Sequence, residues 1–234
     1  MTWFQDNTDK VVDLLLSHLW LSALPIVLGF VIALPIGWYA NRHRRVRGVL
    51  LSTAGVLYTI PSLAFFLVLP SIIGTPILSS ANVVIALTVY AIAIMVRSAA
   101  DAFESVSPSV LDAATATGFA STGRAFRVEL PLAGPVLVAG LRVVAVSTVS
   151  LVSVGALIGV SNLGSLFTEG YRTDNDAEIL IGVVGIVVVA LVFDALIVLA
   201  GRLLLPWARS PRTTTRRPVS PLMSFAQHLR GGRA

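Results

Sequence analysis

The sequence predicts an all-α integral membrane protein with five transmembrane helices, and three observations lead there. The 234 residues are 56% hydrophobic and only 12% charged, with a mean hydropathy of +0.86. A soluble domain carries about 25% charged residues, and a water-facing globule of this composition could not hide its apolar surface. The basic residues also fall in short runs between long uncharged stretches, the pattern of membrane topology and not the continuous stripe that binds nucleic acid. Finally, the uncharged stretches have the right lengths, since a hydrocarbon core of roughly 30 Å needs about 20 apolar residues per helix.

The N-terminal MTWFQDNTDK holds three charged residues, two of them acidic. It lacks the basic start of a cleaved signal, so the first apolar segment is expected to be retained. Residues 14–40 contain no formally charged side chain and supply a first span at about 18–39. Asn41 to Arg47 cannot continue it quietly: Arg42, Arg44, Arg45 and Arg47 are four arginines in seven residues.

From Gly48 to Val96, 49 residues pass without a charge. That is too long for one helix, and Pro70, Gly74, Pro76, Ser79 and Ser80 mark a turn within it. Two spans result, at about 49–70 and 79–96; Pro61 and Pro70 could kink the first of them or be accommodated by neighbouring packing. A polar stretch, 97–131, holds seven charged residues. A fourth span at about 133–160, a polar loop at 161–178 and a fifth span at about 179–205 follow. The tail, 206–234, has six arginines, four prolines and no acid, a composition that does not build a core.

Five spans place the termini on opposite sides. The 41–47 run, the 97–131 stretch and the tail share one side and most of the arginines. The other side holds Asp6, Asp9, Lys10 and Asp13, an uncharged 71–78 loop, and Glu169, Arg172, Asp174, Asp176 and Glu178. The positive-inside rule puts the N-terminus outside and the C-terminus in the cytoplasm.

The polar stretch is itself patterned. Ser107-Pro108 is a helix start, with a hydroxyl able to cap and a proline where the missing N–H costs nothing. Gly118 suits the left-handed position that ends a helix. The helix between them is too short to stand alone in water, and Ala113, Ala114 and Ala116 leave its surface low enough for a partner to approach closely. Ser121 could cap a second short helix through Thr122, Arg124, Phe126 and Val128, ending at Pro131.

Asp112-Ala113-Ala114, Gly118 four residues after Ala114, then nine residues to Val128-Glu129-Leu130-Pro131 resemble the EAA loop of ABC importer permeases. That pattern reads Glu-Ala-Ala, three residues, Gly, nine residues, Ile-x-Leu-Pro, with Asp for Glu and Val for Ile as the departures here. The resemblance implies a type I ABC importer permease fold. It also implies a coupling helix that docks on an ATP-hydrolysing partner, with Asp112, Ala113, Ala114 and Gly118 as the docking element. Arg124, Arg127, Glu129 and Pro131 would flank it. Softer motifs, Thr59-Ile60-Pro61-Ser62-Leu63-Ala64, Val96-Arg97 and Gly155-Ala156-Leu157-Ile158-Gly159, are similar to the quaternary-amine branch, which imports glycine betaine, choline, carnitine or proline betaine. The same architecture with another cargo, such as an amino acid, is the alternative.

The resemblance further implies two ATPase subunits carrying ATP and magnesium, a second copy of this permease or a paralogue, and a separate extracytoplasmic substrate-binding protein. What the chain lacks agrees. Its single lysine is Lys10 and it has no G-x-x-x-x-G-K-[ST] string, so it cannot cradle ATP in a P-loop. It has no cysteine, which removes thiolate metal sites. It has no H-E-x-x-H, and His18, His43 and His228 are scattered. No catalytic residue, bound cofactor or metal is expected. A stand-alone secondary transporter would more often show inverted repeats.

Within the spans, Tyr58 and Tyr90 offer ring faces to a passing trimethylammonium, or simply pack. Pro61 frees carbonyls that could line a pathway. Asp194, mid-way along the fifth span, is expensive in lipid; it either lines the path or pairs with Arg142 or Arg202. Arg142 stands at the edge of a wet cavity or snorkels to the interface. Gly155 and Gly159, spaced G-x-x-x-G, permit close helix approach, either within the subunit or to a second permease.

Overall fold

The computed structural model describes residues 2–208, which form helices joined by short turns. A short α1 (Thr2–Asp6) precedes α2 (Thr8–Arg42). The 35 residues of α2 rise about 50 Å, so both ends stand clear of the hydrocarbon core. Pro25 and Pro35 lie inside α2 without ending it.

The buried residues of α2 recur every three or four positions, at Leu14, His18, Leu21, Pro25, Gly29, Ala33, Gly37 and Ala40. That spacing makes one stripe along a helix, and it packs along α5 (Ser80–Glu104). Gly29 meets Ala91 and Gly37 meets Ala99 so closely that an added Cβ would collide with the alanine. Small residues facing small residues let two backbones approach where no hydrophobic effect drives them together. Gly140, on α8 (Leu130–Val152), does the same against Ser98 of α5. The G-x-x-x-G pair packs closely within the subunit, but from a turn instead of a helix. Gly155 sits in a 3₁₀ turn (Ser153–Ile158), against Val83 of the same subunit, and Gly159 ends that turn at φ +85. The two glycines therefore do not form a helix-packing stripe.

The second span departs most from expectation. It is two helices, α3 (Arg44–Thr59) and α4 (Ser62–Ile73), meeting at 102°. Pro61 has no N–H and holds Ile60 extended, at φ −65 and ψ 126. The freed Ile60 carbonyl accepts the Tyr90 hydroxyl at 2.6 Å, which fixes a break where at most a kink was expected. α4 ends at Gly74 in the left-handed region. The turn that follows is pinned by fully buried Asn82, whose amide donates to the carbonyls of Pro76 and Ile77.

The 97–131 stretch holds the two short helices expected of it, and α5 also extends into it. α5 runs eight residues past Val96 to Glu104, followed by α6 (Pro108–Ala116), α7 (Ser121–Arg124) and a π-helical turn (Ala125–Glu129) leading into α8. Residues 121–158 are one continuous helical run. α9 (Ser165–Arg172) covers the next turn, and α10 (Asp176–Leu204) is the last span, capped by the Asn175 side chain. Little of α10 is buried, as suits a helix whose outer face meets lipid. A 3₁₀ turn (Pro206–Ala208) follows α10, and the tail beyond Ala208 lies outside the described residues.

Hydrogen bonds between distant residues define the two ends of the bundle. Arg42 reaches Ser121, Arg47 reaches Asp101, and Trp207 reaches the Pro131 carbonyl at one end. Lys10 bonds Glu169 and Glu178, and Ser17 bonds the Ser161 carbonyl, at the other. Four helices among the described residues are long and apolar enough to cross a membrane, and the bent α3–α4 pair makes a fifth candidate span.

Candidate functional site

α6 stands at the arginine-rich end, and its boundaries follow from sequence chemistry. Pro108 takes the first helical position. At the other end Thr117 is the C-cap and Gly118 lies at φ +90. The Gly118 N–H donates to the Thr115 carbonyl and the Phe119 N–H to the Ala114 carbonyl. These are the paired bonds of a Schellman end, which needs a residue at ease in the left-handed region. The Ser107 hydroxyl contacts Ser109 and does not cap the helix.

α6 has an outward and an inward face. Asp112 and Ala113 are exposed, whereas Ala114 is buried at 8% and Leu111 packs against the main core. Of the expected docking residues, Asp112, Ala113 and Gly118 are therefore open to a partner. Ala114 instead seats the helix on its own subunit.

Behind α6 lies a polar node that the motif did not announce. Glu129, the unspecified position of Ile-x-Leu-Pro, is only 4% exposed. Its carboxylate accepts from Trp38 Nε1 at 2.9 Å, Arg42 Nη2 at 3.1 Å and Arg124 Nε at 2.9 Å. Arg124 also donates from Nη1 to Thr115 Oγ1 at 2.7 Å. Arg42 lies 4.2 Å over the Trp38 ring and donates to the Ser121 hydroxyl. Glu129 thus ties α6, through Arg124 and Thr115, to the end of α2. It was expected to flank a partner contact, and it is inside the subunit. Arg127 and Phe126 are exposed beside α6 and keep the flanking position.

The π-helical turn explains how this node fits. Pro131 cannot donate to the carbonyl four residues back and its ring crowds that carbonyl. The wider turn over Ala125–Glu129 opens the ladder just before it, a form that recurs at functional sites. Ser121, expected to cap α7, is its first residue, with Ala120 at the cap. Its hydroxyl serves Arg42 instead.

The residues proposed from sequence to line a pathway separate. Arg142 and Asp194 form a two-bond ion pair, Nε–Oδ1 2.6 Å and Nη2–Oδ2 2.9 Å, between α8 and α10. Each neutralises the other, which is the structural of the two roles considered for Asp194. Tyr90 is 3% exposed and belongs to the core under the α3–α4 break. Pro61 stands at that break, with the adjacent Ile60 carbonyl already occupied. Tyr58 is half exposed, edge-on to Tyr90 at 6.0 Å between ring centroids.

Residues 25–210 match the family described as the inner membrane component of binding-protein-dependent transport systems. The chain belongs to this family. The permease resembles the osmoprotectant import permease protein OsmW of Salmonella typhimurium, 32% identical over 195 residues that cover 82% of this chain and 90% of OsmW. It resembles the carnitine transport permease protein OpuCD of Listeria monocytogenes at 29% identity, covering 83% and 86% of the two chains. It also resembles the choline transport system permease protein OpuBD of Bacillus subtilis at 29%, covering 88% and 90%. Among solved structures, an amino acid ABC transporter crystallised with histidines superposes with a TM-score of 0.71 at 19% identity, over 86% of this permease and 97% of that chain. The MetNI methionine ABC transporter superposes at 0.66 and 22%, over 84% and 95%. The fold is that of a type I ABC importer permease, and the protein is a multi-pass inner-membrane component.

Proposed function

We propose that this permease forms the translocation pathway of an ATP-driven importer of quaternary amine osmoprotectants, such as glycine betaine, choline, carnitine or proline betaine. Two permeases, identical or paralogous, pair in the bilayer. Two ATPase subunits, which hold the ATP and magnesium, receive α6 of each permease through the exposed face at Asp112, Ala113 and Gly118. A separate extracytoplasmic binding protein delivers the cargo to the end carrying Lys10 and α9. The permease makes and breaks no covalent bond; it supplies the path and the lever.

The observation that carries the coupling role is the seating of α6: an open face outward, and behind it a buried charged node joined to α2 and α8. A push on such a helix is passed to two spans instead of being absorbed by a slack loop. The cargo class is supported by the names of the relatives, which transport osmoprotectants, carnitine and choline.

Uptake of labelled glycine betaine, carnitine and choline by the assembled importer in liposomes, with and without ATP inside, tests this reading. ATP-dependent uptake of at least one is expected. Uptake confined to amino acids would replace the cargo, and uptake by the permease alone would overturn the mechanism.

A further inference from the structure

Between α3, α5 and α8 lies a half-open groove of about 280 Å³, with Ala54, Gly55, Tyr58, Arg97, Ser98 and Ser147 among its lining residues. Two features distinguish it from the apolar surface around it.

Tyr58 offers a ring that is held in place. It is 48% exposed, and Tyr90 stands behind it edge-on at an interplanar angle of 84°. Tyr90 cannot drift, because its hydroxyl is bonded to Ile60 and Phe65 packs edge-on against it at 5.7 Å. The Tyr58 ring is therefore positioned before any ligand arrives, and a positioned ring face attracts a quaternary ammonium.

Arg97 offers a charge that nothing answers among the described residues. Arg142 is neutralised by Asp194, and Arg47 by Asp101 and Glu104. Arg97 is exposed on the groove wall and has no hydrogen bond or ion pair with any described residue. It stands one helical turn before Asp101, inside the charged rim.

The two features line the same groove, Tyr58 from α3 and Arg97 from α5. Tyr90, which backs the ring, and Arg97 are seven residues apart, about 10 Å of helix. Helical side chains lean toward the N-terminus, the direction in which Tyr90 lies from Arg97 along α5. Ser98 and Ser147 place hydroxyls along the same groove.

We propose that this groove is a weak zwitterion site in the permease, with the Tyr58 ring taking a quaternary ammonium and Arg97 taking a carboxylate. The proposal rests on the quaternary-amine reading above and narrows it. A betaine or carnitine satisfies both ends, whereas choline, which has no carboxylate, leaves the guanidinium unanswered and meets its like charge. One ring and one guanidinium in an open groove hold cargo loosely, as a site that must release it requires.

The test is equilibrium binding of labelled glycine betaine and of choline to the full-length permease in complex with its ATPase, in nanodiscs, with the binding protein left out. Wild type binds glycine betaine better than choline. Arg97→Gln weakens glycine betaine binding roughly tenfold, the loss of a charge-assisted contact, and leaves choline binding equal or stronger; Arg97→Lys retains part of the preference. Tyr58→Leu weakens both ligands several-fold, of the order expected for a lost cation–π contact, while Tyr58→Phe, which keeps the ring, does not. Complex recovered by size exclusion normalises every variant. Glycine betaine binding that is absent in wild type, or unchanged in Arg97→Gln and Tyr58→Leu, overturns the groove. So does an equal loss of both ligands in Arg97→Gln, which marks a structural arginine. Uptake by the complete wild-type importer is measured in parallel. If it carries no quaternary amine, the cargo reading fails; if it carries one without binding at the groove, only this inference fails.

Discussion

Removing the Glu129 carboxylate is the perturbation that most fully exercises the coupling geometry. Glu129→Ala deletes an acceptor of three hydrogen bonds, two of them from arginines at 2.9 and 3.1 Å. It leaves Arg42 and Arg124 side by side without their shared counter-ion. Breaking a buried ion pair costs about 3–5 kcal/mol. Here the carboxylate is buried but the arginine side chains are 26% and 22% exposed. Water screens part of the loss, which brings the expectation to roughly 2–3 kcal/mol. Glu129→Gln keeps an acceptor oxygen and the volume, so about half of that cost is expected. The assay is thermal unfolding of the permease–ATPase complex together with cargo transported per ATP hydrolysed. Both variants lower the unfolding temperature, Ala more than Gln. Both lower transport per ATP while the ATPase still turns over, because α6 moves without carrying α2. A cycle pairing Glu129→Gln with Arg124→Gln gives non-additive losses of about 1–2 kcal/mol. Unchanged stability with unchanged transport per ATP in Glu129→Ala would refute the reasoning.

Two further outcomes follow from the same geometry. Gly118 lies at φ +90, with open space where a Cβ would go. Gly118→Val therefore strains the backbone without a clash, at about 1–3 kcal/mol, and reduces ATPase association, while Gly118→Asn, better tolerated in the left-handed region, keeps most of it; co-purification of the ATPase measures both. Asp194→Asn leaves the Arg142 charge without its counter-ion between spans and lowers the yield of assembled complex, since a lone charge is disfavoured there. Adding Arg142→Gln restores yield and uptake; failure of the double variant to recover would return Asp194 to a role in transport.

Several elements of the fold and the site are legible in the sequence. The span count, the sidedness of the arginines and the α6 helix with its glycine end all depend on local chemistry: hydropathy, capping and a left-handed residue. The Arg142–Asp194 pair was one of three options, beside a pathway role and a pairing with Arg202, set by the cost of charge in lipid. What escaped depends on distant partners. The 102° break at Ile60-Pro61 needs Tyr90, thirty residues away, to take the freed carbonyl. Burial of Glu129 needs Trp38 and Arg42 from the other end of the sequence, and in the motif that position is unspecified. The close contacts of Gly29 and Gly37 need the alanines of α5 opposite them. Their spacing of eight is two helical turns, a signal in the sequence that the shorter G-x-x-x-G pattern overshadowed.

The central claim, that α6 is where a separate ATPase engages this permease, is open to direct chemical test because the chain contains no cysteine. Ala113→Cys places one thiol on the outward face of α6, and Tyr171→Cys places one at the opposite end of the bundle, at a residue 84% exposed. Each variant is co-expressed with the ATPase and treated with a short thiol-to-amine cross-linker. The account predicts a permease–ATPase adduct from Ala113→Cys, diminished when ATP drives the complex between states, and none from Tyr171→Cys. No adduct at Ala113→Cys in an assembled, active complex, or an adduct from Tyr171→Cys, would contradict it.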